Sequence, residues 1–272
     1  MSSLLKISVS FLFIFLSLTA SGGDPYRQSA GAGEAGMGFV CVMREGFWRS
    51  FHNQALLASN RSYSLGFNYE NRFAINELAT RTAGVIIPAG KASVGAIYSH
   101  FGYHDFKREM TGLACGLKLS DRLSAGVQAD YFLERTYGEY DNYQTFTCEA
   151  GLLAAINENV NIGIHIFNPV PGSLRSHFMP SILRLGIGTE LNKSLFAGAE
   201  AEMSSGQNLI FRTGFEYEAA KRFWLRGGFS TENSSFSFGM GYLAKIVLID
   251  LGFNTHEKLG ITSSASLIFK IH

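Results

Sequence analysis

The chain has 272 residues, of which 46% are hydrophobic and only 17% are charged. This composition excludes a disordered chain, a collagen and a small disulfide scaffold, and the formal net charge of +1 gives no electrostatic footprint for binding nucleic acid. The 30 Gly, 23 Phe and 11 Tyr, together with the low charge, are typical of many strands that meet an apolar medium.

The first segment has the pattern of an export signal. Lys6 precedes an apolar run at 7–18, and small residues follow around Ala20. The run is shorter than the roughly 20 apolar residues that a membrane-spanning helix needs, and no later run approaches that length. We therefore expect residues 1–20 to be a signal peptide that is removed near Ala20. The mature chain is then exported, and it is either soluble or inserted in the outer membrane as a β-barrel.

The segment 21–60 shows no strand alternation and is rich in glycine and aromatic residues. Gly31, Gly33 and Gly36 have GxGxxG spacing, but no strand precedes them and no βαβ unit follows, so a dinucleotide site is a false match. A barrel lumen can hold a segment of this length, because its small residues allow close backbone contact and its aromatic residues can pack there. We expect residues 21–60 to form a hatch inside the lumen. Its candidate residues are Gly36, Met37, Gly38, Phe47, Trp48 and Asn53.

From residue 61 onward, apolar and polar side chains alternate, which indicates strands with one apolar and one polar face. In the last segment, Ile261, Leu267 and Phe269 alternate with Thr, Ser and Lys. Such segments span about ten residues, the length that a tilted strand needs to cross a membrane. The count is fourteen, with strands expected at 61–70, 80–88, 91–100, 109–119, 122–134, 143–156, 159–168, 180–191, 194–204, 208–219, 222–231, 234–243, 246–254 and 259–271.

Every second connection is very short, as at 120–121, 192–193 and 244–245, whereas the intervening ones are mostly longer. This asymmetry and the even strand number are typical of an outer-membrane barrel. A soluble β-sandwich or lipocalin-like barrel also alternates, but its exposed polar face would carry more lysines than this one does. The sequence therefore predicts an all-β fold, a transmembrane antiparallel β-barrel of about 14 strands at 61–272 with an N-terminal luminal hatch.

The polar faces of these strands carry charges of both signs, which suits a lumen where opposite charges pair across a narrow space. We expect Arg184, Arg212 and Arg226 to form an interior ion network with acidic residues on neighbouring strands. The candidate lumen charges are Asp130, Arg184, Glu190, Glu200, Glu202, Arg212, Glu216, Glu218 and Arg226. Several inward positions are apolar and leave a hydrophobic route open, namely Phe132, Leu153, Phe167, Phe196, Ile210 and Trp224.

Other chemistry has little support in the sequence. His100 and His104 are separated by roughly 13 Å in an extended chain, which is too far for one metal ion, and His104 has no nucleophile motif beside it. We therefore predict no catalytic residue, no metal ion and no cofactor. Cys115 and Cys148 have the apolar parity of two strands that a third separates, so we expect them to face lipid and to stay unpaired.

The stretch Ala35-Gly36-Met37-Gly38, followed by 53–58, resembles the N-terminal signature of FadL-like barrels of the PorV/PorQ type, found mainly in Bacteroidota. In that family an AGMGG run leads to NPAGLA, and here Gln54 occupies the position of the Pro. The likeness continues through 69–73, 101–103, 167–169, 184–186, 215–217, 225–228 and the terminal strand. The resemblance implies an outer-membrane barrel of a Gram-negative cell with an N-terminal hatch.

The resemblance implies two functions. The first is a FadL-like channel for the uptake or passage of small hydrophobic molecules, with lipid and a small hydrophobic ligand as partners. The alternative is a PorV/PorQ-like barrel that serves as an anchor or accessory component of type IX secretion, or of another outer-membrane complex, and binds a protein partner. An enzyme on a barrel scaffold is a third hypothesis, which the lack of a catalytic motif disfavours. Nucleic acid is not expected as a partner.

Overall fold

A computed structural model of the protein describes residues 30–137, 142–170, 172–174 and 177–271. The expected signal peptide at 1–20 and the first part of the expected hatch, at 21–29, lie outside the described residues. Fourteen antiparallel strands close into one barrel, which confirms the strand count from the sequence. Among the described residues, no helix is long and apolar enough to cross a membrane.

Each barrel strand pairs with its neighbours in the sequence, and the first and last strands pair to close the barrel. The strand ends lie within about three residues of the expected ones. The strands are β1 (Tyr63–Asn71), β2 (Ala79–Ala89), β3 (Ala92–Gly102), β4 (Phe106–Lys118), β5 (Leu123–Thr136), β6 (Tyr143–Ala155), β7 (Val160–Phe167), β8 (Gly172–Leu174), β9 (His177–Met179), β10 (Ile182–Asn192), β11 (Leu195–Ser204), β12 (Ile210–Ala220), β13 (Phe223–Ser230), β14 (Ser235–Ala244), β15 (Val247–His256) and β16 (Gly260–Ile271).

The short strands β8 and β9 form a separate two-stranded ribbon, so β7 pairs directly with β10 in the barrel. The connections 90–91, 193–194 and 245–246 lie at one end of the barrel, which we call the short-turn rim. The loops 72–78 and 231–234 lie at the other end, the long-loop rim. The structure therefore has the rim asymmetry that the alternating connection lengths predict.

The outer surface is mostly apolar and the inner surface is mostly polar. On β1, Leu65 and Phe67 are exposed on the outside, whereas Ser64 and Asn68 point inward and are buried. A soluble barrel would bury its apolar face, because water is the surrounding solvent. The opposite arrangement here fits a barrel surrounded by lipid.

Residues 30–58, the described part of the segment in which the sequence predicts a hatch, lie inside the barrel. Helix α1 (Ala32–Gly36) packs against β14 and β15, and a 3₁₀ helix at Gln54–Ser59 packs against β4 and β5 on the other side of the lumen. A second 3₁₀ helix, Trp48–Phe51, lies between them in the sequence. Nearly all side chains from Ala30 to Ala58 are buried. The hatch therefore fills the lumen at the level of these helices.

Candidate functional site

The candidate functional site is the hatch and the wall around it. The hatch turns on Gly31, whose φ of 107° suits glycine, and helix α1 follows directly. Asn53 begins the 3₁₀ helix Gln54–Ser59, because its side-chain oxygen accepts a hydrogen bond from the N–H of Ala55 at 3.1 Å. Its amide nitrogen donates to the carbonyl oxygens of Val42 at 2.6 Å and of Leu152 on β6 at 3.0 Å. Asn53 thus joins two parts of the hatch to the barrel wall.

Two of the expected hatch residues belong to a buried aromatic cluster. The rings of Phe47 and Trp48 meet edge to face with centroids 4.8 Å apart, and Phe51 lies 5.8 Å from Phe47. The cluster packs against Ile86 and Ile97, which point inward from β2 and β3. The hatch therefore has an apolar contact with the wall as well as the polar ones.

Glycines on the inner face of the wall allow the hatch to lie close to the strands. A Cβ at Gly163 would lie 2.0 Å from the carbonyl oxygen of Val42, and one at Gly252 would lie 2.1 Å from that of Ala32. Real Cβ atoms do not approach this closely, so only glycine fits here. We call this set the glycine girdle. Its members are Gly66, Gly116, Gly126, Gly151, Gly163, Gly186, Gly214, Gly228, Gly239 and Gly252.

The expected hatch residues Gly36, Met37 and Gly38 lie against this girdle. The Cα of Gly36 faces Gly239, and the carbonyl of Met37 lies over Gly214 and Gly228. Gly38 has a φ of 66°, a left-handed conformation that favours glycine. This part of the hatch is thus held by backbone contacts.

A first cluster of charged side chains lies on neighbouring strands β10, β11 and β12. Arg184 forms an ion pair with Glu200 and lies 3.6 Å from an oxygen of Glu202. Arg212 donates to Glu202 at 2.9 Å and to Glu232 at 3.0 Å. Arg184, Arg212, Glu200 and Glu202 are all candidate residues from the sequence, and the antiparallel register brings them together.

This first cluster also holds the backbone of the hatch. The second carboxylate oxygen of Glu200 accepts from the N–H groups of Cys41 at 3.1 Å and Val42 at 3.4 Å. The guanidinium of Arg184 donates to the carbonyl oxygen of Phe39 at 2.9 Å. Hydrogen bonds between charged groups and buried backbone are strong, because few waters compete for them. The wall therefore clamps residues 39–42.

A second cluster joins the side chains of the hatch to β12, β13 and β15. Arg226 donates to Glu216 and to Asp250, each at 2.6 Å. The hatch contributes Arg44, which donates to Glu216 at 2.5 Å and to Glu190 at 3.1 Å. The hatch also contributes Arg49, which pairs with Glu216 at 3.2 Å and with Glu34 at 3.0 Å. Glu216 thus accepts from three arginines, two of which belong to the hatch.

The single ion network expected from the sequence is therefore divided. Its expected member Glu218 and the candidate lumen charge Asp130 lie elsewhere. Glu218 is near the short-turn rim, where it accepts from the backbone N–H of Arg222 at 3.2 Å. Asp130 is buried in a third group, in which Gln128 donates to it at 2.7 Å. That group also contains Glu149, which accepts from Gln54 at 2.7 Å and contacts His165 at 2.8 Å.

Sequence reasoning missed the hatch arginines, Asp250 and Glu149. Parity alone marks Asp250 and Glu149 as inward, but their partners come from distant parts of the chain. Arg44 and Arg49 lie in a segment without strand alternation, so no periodic signal marks where their side chains point. The sequence did offer one signal: the hatch segment carries arginines, and the inward faces of the strands carry acidic residues with which they could pair.

A cavity of about 270 Å³ opens at the long-loop rim above the hatch. Ala35 and Phe39 of the hatch border it, and Phe73 from the β1–β2 loop faces His256 across the rim with ring centroids 5.5 Å apart. The guanidinium-bearing Arg212 of the first cluster also lines it.

No protein-family model matches the chain, and no curated protein matches it. The fold, however, is similar to those of solved outer-membrane transporters. The Ralstonia pickettii toluene transporter TbuX has 14% identity and a TM-score of 0.71, with 89% of this chain and 98% of that chain covered. The P. putida toluene transporter TodX has 10% identity and a TM-score of 0.70, with coverage of 89% and 99%. A Pseudomonas aeruginosa FadL homologue has 11% identity and a TM-score of 0.68, with coverage of 90% and 99%.

Identities this low show a shared fold. The chain has a closed 14-strand barrel that is similar to the fold of these transporters. The narrower resemblance to PorV and PorQ, with its origin in Bacteroidota, gains no support from these neighbours, and neither does a role in type IX secretion. The expected FadL-like architecture is confirmed as a fold.

Proposed function

We propose that the chain is an outer-membrane channel for small hydrophobic molecules, with the hatch as its gate. The apolar exterior and the fold shared with toluene transporters support the location and the class of substrate. A signal peptide at 1–20 would deliver the chain to that membrane.

The hatch carries this proposal. It is one end of the same chain, it fills the lumen, and ion pairs and backbone hydrogen bonds hold it to the wall. A segment held this way can rearrange without breaking the strand ladder of the barrel, whereas a rearrangement of the strands would expose unpaired backbone groups to lipid. The hatch is therefore the element that can open a path.

The rim cavity is the proposed first binding site. Its volume of about 270 Å³ exceeds the roughly 150 Å³ of a dry cavity that holds benzene. Phe39, Phe73 and Leu259 supply apolar surface, and the polar groups around them keep the rim open to water. A small aromatic hydrocarbon would remove part of its apolar surface from water there and would gain contact with these rings.

Uptake of radiolabelled toluene by a Gram-negative host that makes the full chain tests the proposal. We expect uptake above that of host cells without the protein, and slower uptake for Ser235→Trp, because Ser235 lines the cavity and the indole would fill it. Asn76→Trp is the matched control, since Asn76 is exposed at the same rim but does not line the cavity. Uptake no faster than in host cells without the protein would contradict the channel, and equal loss in both variants would contradict the binding site.

A further inference from the structure

Charged side chains on the outer surface of the described barrel strands are confined to one face. They are Arg81 on β2, Lys107 and Glu109 on β4, and Arg135 on β5. The outward positions of the remaining barrel strands carry no Asp, Glu, Lys or Arg among the described residues. Charge on a lipid-facing surface is costly in the middle of a membrane and is tolerated near its interfaces. Its concentration on neighbouring strands therefore needs an explanation.

The strand register places these residues near one another at the same end of the barrel. His100 on β3 is opposite Arg81 on one side and opposite Glu109 on the other. Lys107 is opposite Arg135, and this pair lies two residues closer to the rim than Glu109. All of them lie near the long-loop ends of their strands, where lipid headgroups would surround the barrel.

On the described strands, the outward charges of this face sum to a positive value. Glu109 is its one acidic side chain on the described strands, and it accepts a hydrogen bond from the hydroxyl of Tyr98 at 2.9 Å. Lys107 and Arg135 form no ion pair with any residue that the structure describes. We call Arg81, Lys107 and Arg135 the basic patch.

Two apolar grooves lie on the same outer wall. The first has a volume of about 560 Å³ and contains Arg81 in its lining, and small Ala83 and Ala265 lie among larger side chains there. The second has a volume of about 590 Å³ and extends across β2 to β6. Small residues also form this second groove, namely Ala96, Cys115, Ala129 and Cys148.

We propose that this face binds a phosphorylated lipid of the leaflet around the long-loop rim. The phosphate lies on the basic patch and the acyl chains lie in the two grooves. Arginine and lysine are the side chains that bind phosphate, and arginine does so with two parallel N–H groups. The proposal rests on the membrane location in the proposed function, but it concerns the exterior of the barrel and not the path through the lumen.

Native mass spectrometry of the full chain in detergent tests this site. The probes are phosphatidic acid, diacylglycerol with the same acyl chains, and inorganic phosphate. We expect phosphatidic acid to stay bound at about tenfold higher occupancy than diacylglycerol, since each nearby cation attracts the anionic headgroup. Inorganic phosphate should not be retained.

The variant R81Q/K107Q/R135Q should lose about tenfold in bound phosphatidic acid, because all three cations are removed. The matched control K193Q/K221Q/K245Q removes three lysines from the short-turn rim and should retain the lipid. Both variants should keep heat-modifiable migration on gels, since neither changes the interior. Ala265→Phe, which fills the first groove, should also reduce lipid retention while leaving the basic patch intact.

Three results would overturn the proposal. Equal retention of phosphatidic acid by the two triple variants would show that the basic patch is not the site. Equal retention of diacylglycerol and phosphatidic acid would show that the grooves bind by apolar contact alone. Retention of inorganic phosphate would identify a site for the free ion. None of these measurements depends on transport, so a failure here is distinct from a failure of the uptake experiment.

Discussion

At the scale of single residues, two glutamates connect the wall to the hatch. Glu216 accepts from Arg44 and Arg49 of the hatch and from Arg226 of β13. Glu200 accepts from backbone N–H groups of the hatch. A buried carboxylate needs such partners because water is not available to solvate it. Each glutamate therefore favours the position of the hatch that supplies its donors.

Replacement of Arg226 tests the second cluster. Arg226→Gln removes the ion-pair partner of Asp250, whereas Glu216 keeps Arg44 and Arg49. Breaking a buried ion pair costs about 3–5 kcal/mol. We expect the free energy of unfolding in urea to fall by about that amount. Lys221→Gln, in the exposed turn before β13, should change it by less than about 0.5 kcal/mol. An unchanged unfolding midpoint for Arg226→Gln would mean that water solvates the cluster.

Cys41 reports the position of the hatch. It is fully buried, and burial raises the pKa of its thiol to about 12. Because maleimides react with the thiolate, labelling of Cys41 at pH 8 should be slow in the C115S/C148S background. Arg184→Gln in that background should label faster, since it removes a contact to Phe39 and loosens residues 39–42.

Arg108→Gln is the control for this labelling, because Arg108 pairs with Glu134 on the wall, away from Cys41. Fast labelling of Cys41 without any change at Arg184 would contradict the closed hatch. Equal acceleration by both variants would mean that general loosening of the barrel, rather than the clamp, exposes the thiol.

At the scale of elements, the glycine girdle and the hatch fit each other. Side chains alone fill the interior of a barrel of about eight strands, and the interior widens as the strand number rises, so this 14-stranded barrel has room for a further segment. Here glycine at selected inward positions gives that space to the backbone of the hatch. The wall strands and the hatch therefore depend on each other for close packing.

A single methyl group tests this fit. Gly163→Ala places a Cβ 2.0 Å from the carbonyl oxygen of Val42, and a backbone atom cannot turn aside as a side chain can. We expect the hatch to shift and the ion conductance in planar bilayers to rise. Gly227→Ala is the matched control, since its new Cβ meets only the ring of Phe215 on the outer surface. Equal conductance in the two variants would contradict the role of the girdle.

Deletion of the hatch tests more directly whether this segment obstructs the lumen. Deletion of residues 30–58 removes α1, the 3₁₀ helix Trp48–Phe51, nearly all of the 3₁₀ helix Gln54–Ser59, and the two hatch arginines that pair with Glu216. The strand ladder does not include these residues, so a heat-modifiable barrel should still form. Its conductance in planar bilayers should be greater than that of the full chain. If the two conduct equally, the hatch does not obstruct the lumen.

At the scale of the whole molecule, the two rims differ. The short-turn rim has tight connections between strands, whereas the long-loop rim carries the cavity and the longer connections. Outer-membrane barrels place short turns in the periplasm and long loops outside the cell. Under the proposed function, this orientation would put the binding cavity at the cell surface, where a substrate would arrive.

Epitope tags test the orientation. A tag after His104, in an exposed loop of the long-loop rim, should be labelled by antibody on intact cells. A tag after Lys193, in the turn between β10 and β11, should be labelled only after permeabilisation. The reverse pattern would place the cavity in the periplasm.

The sequence by itself determined the strands, their faces and the difference between the rims. These features follow from a period of two along each strand and from connection lengths, which are local properties. The parity of Cys115 and Cys148 was read in the same way, and the structure leaves both thiols exposed and free. The pairing of Arg184 with Glu200 could also be predicted, because both residues face inward and lie on neighbouring strands.

Only the tertiary structure decided which groups the hatch contacts. Arg44 and Arg49 reach Glu216 because the hatch runs through the closed barrel. The periodicity of the sequence does not predict that course. Asp130 and Glu218 have the expected parity, yet the height of each along the barrel separates it from the arginines. The rim cavity likewise depends on loops and hatch residues that are distant in the sequence. Alternation fixes the face of a side chain, whereas its partners depend on barrel closure and on the course of the chain through the lumen.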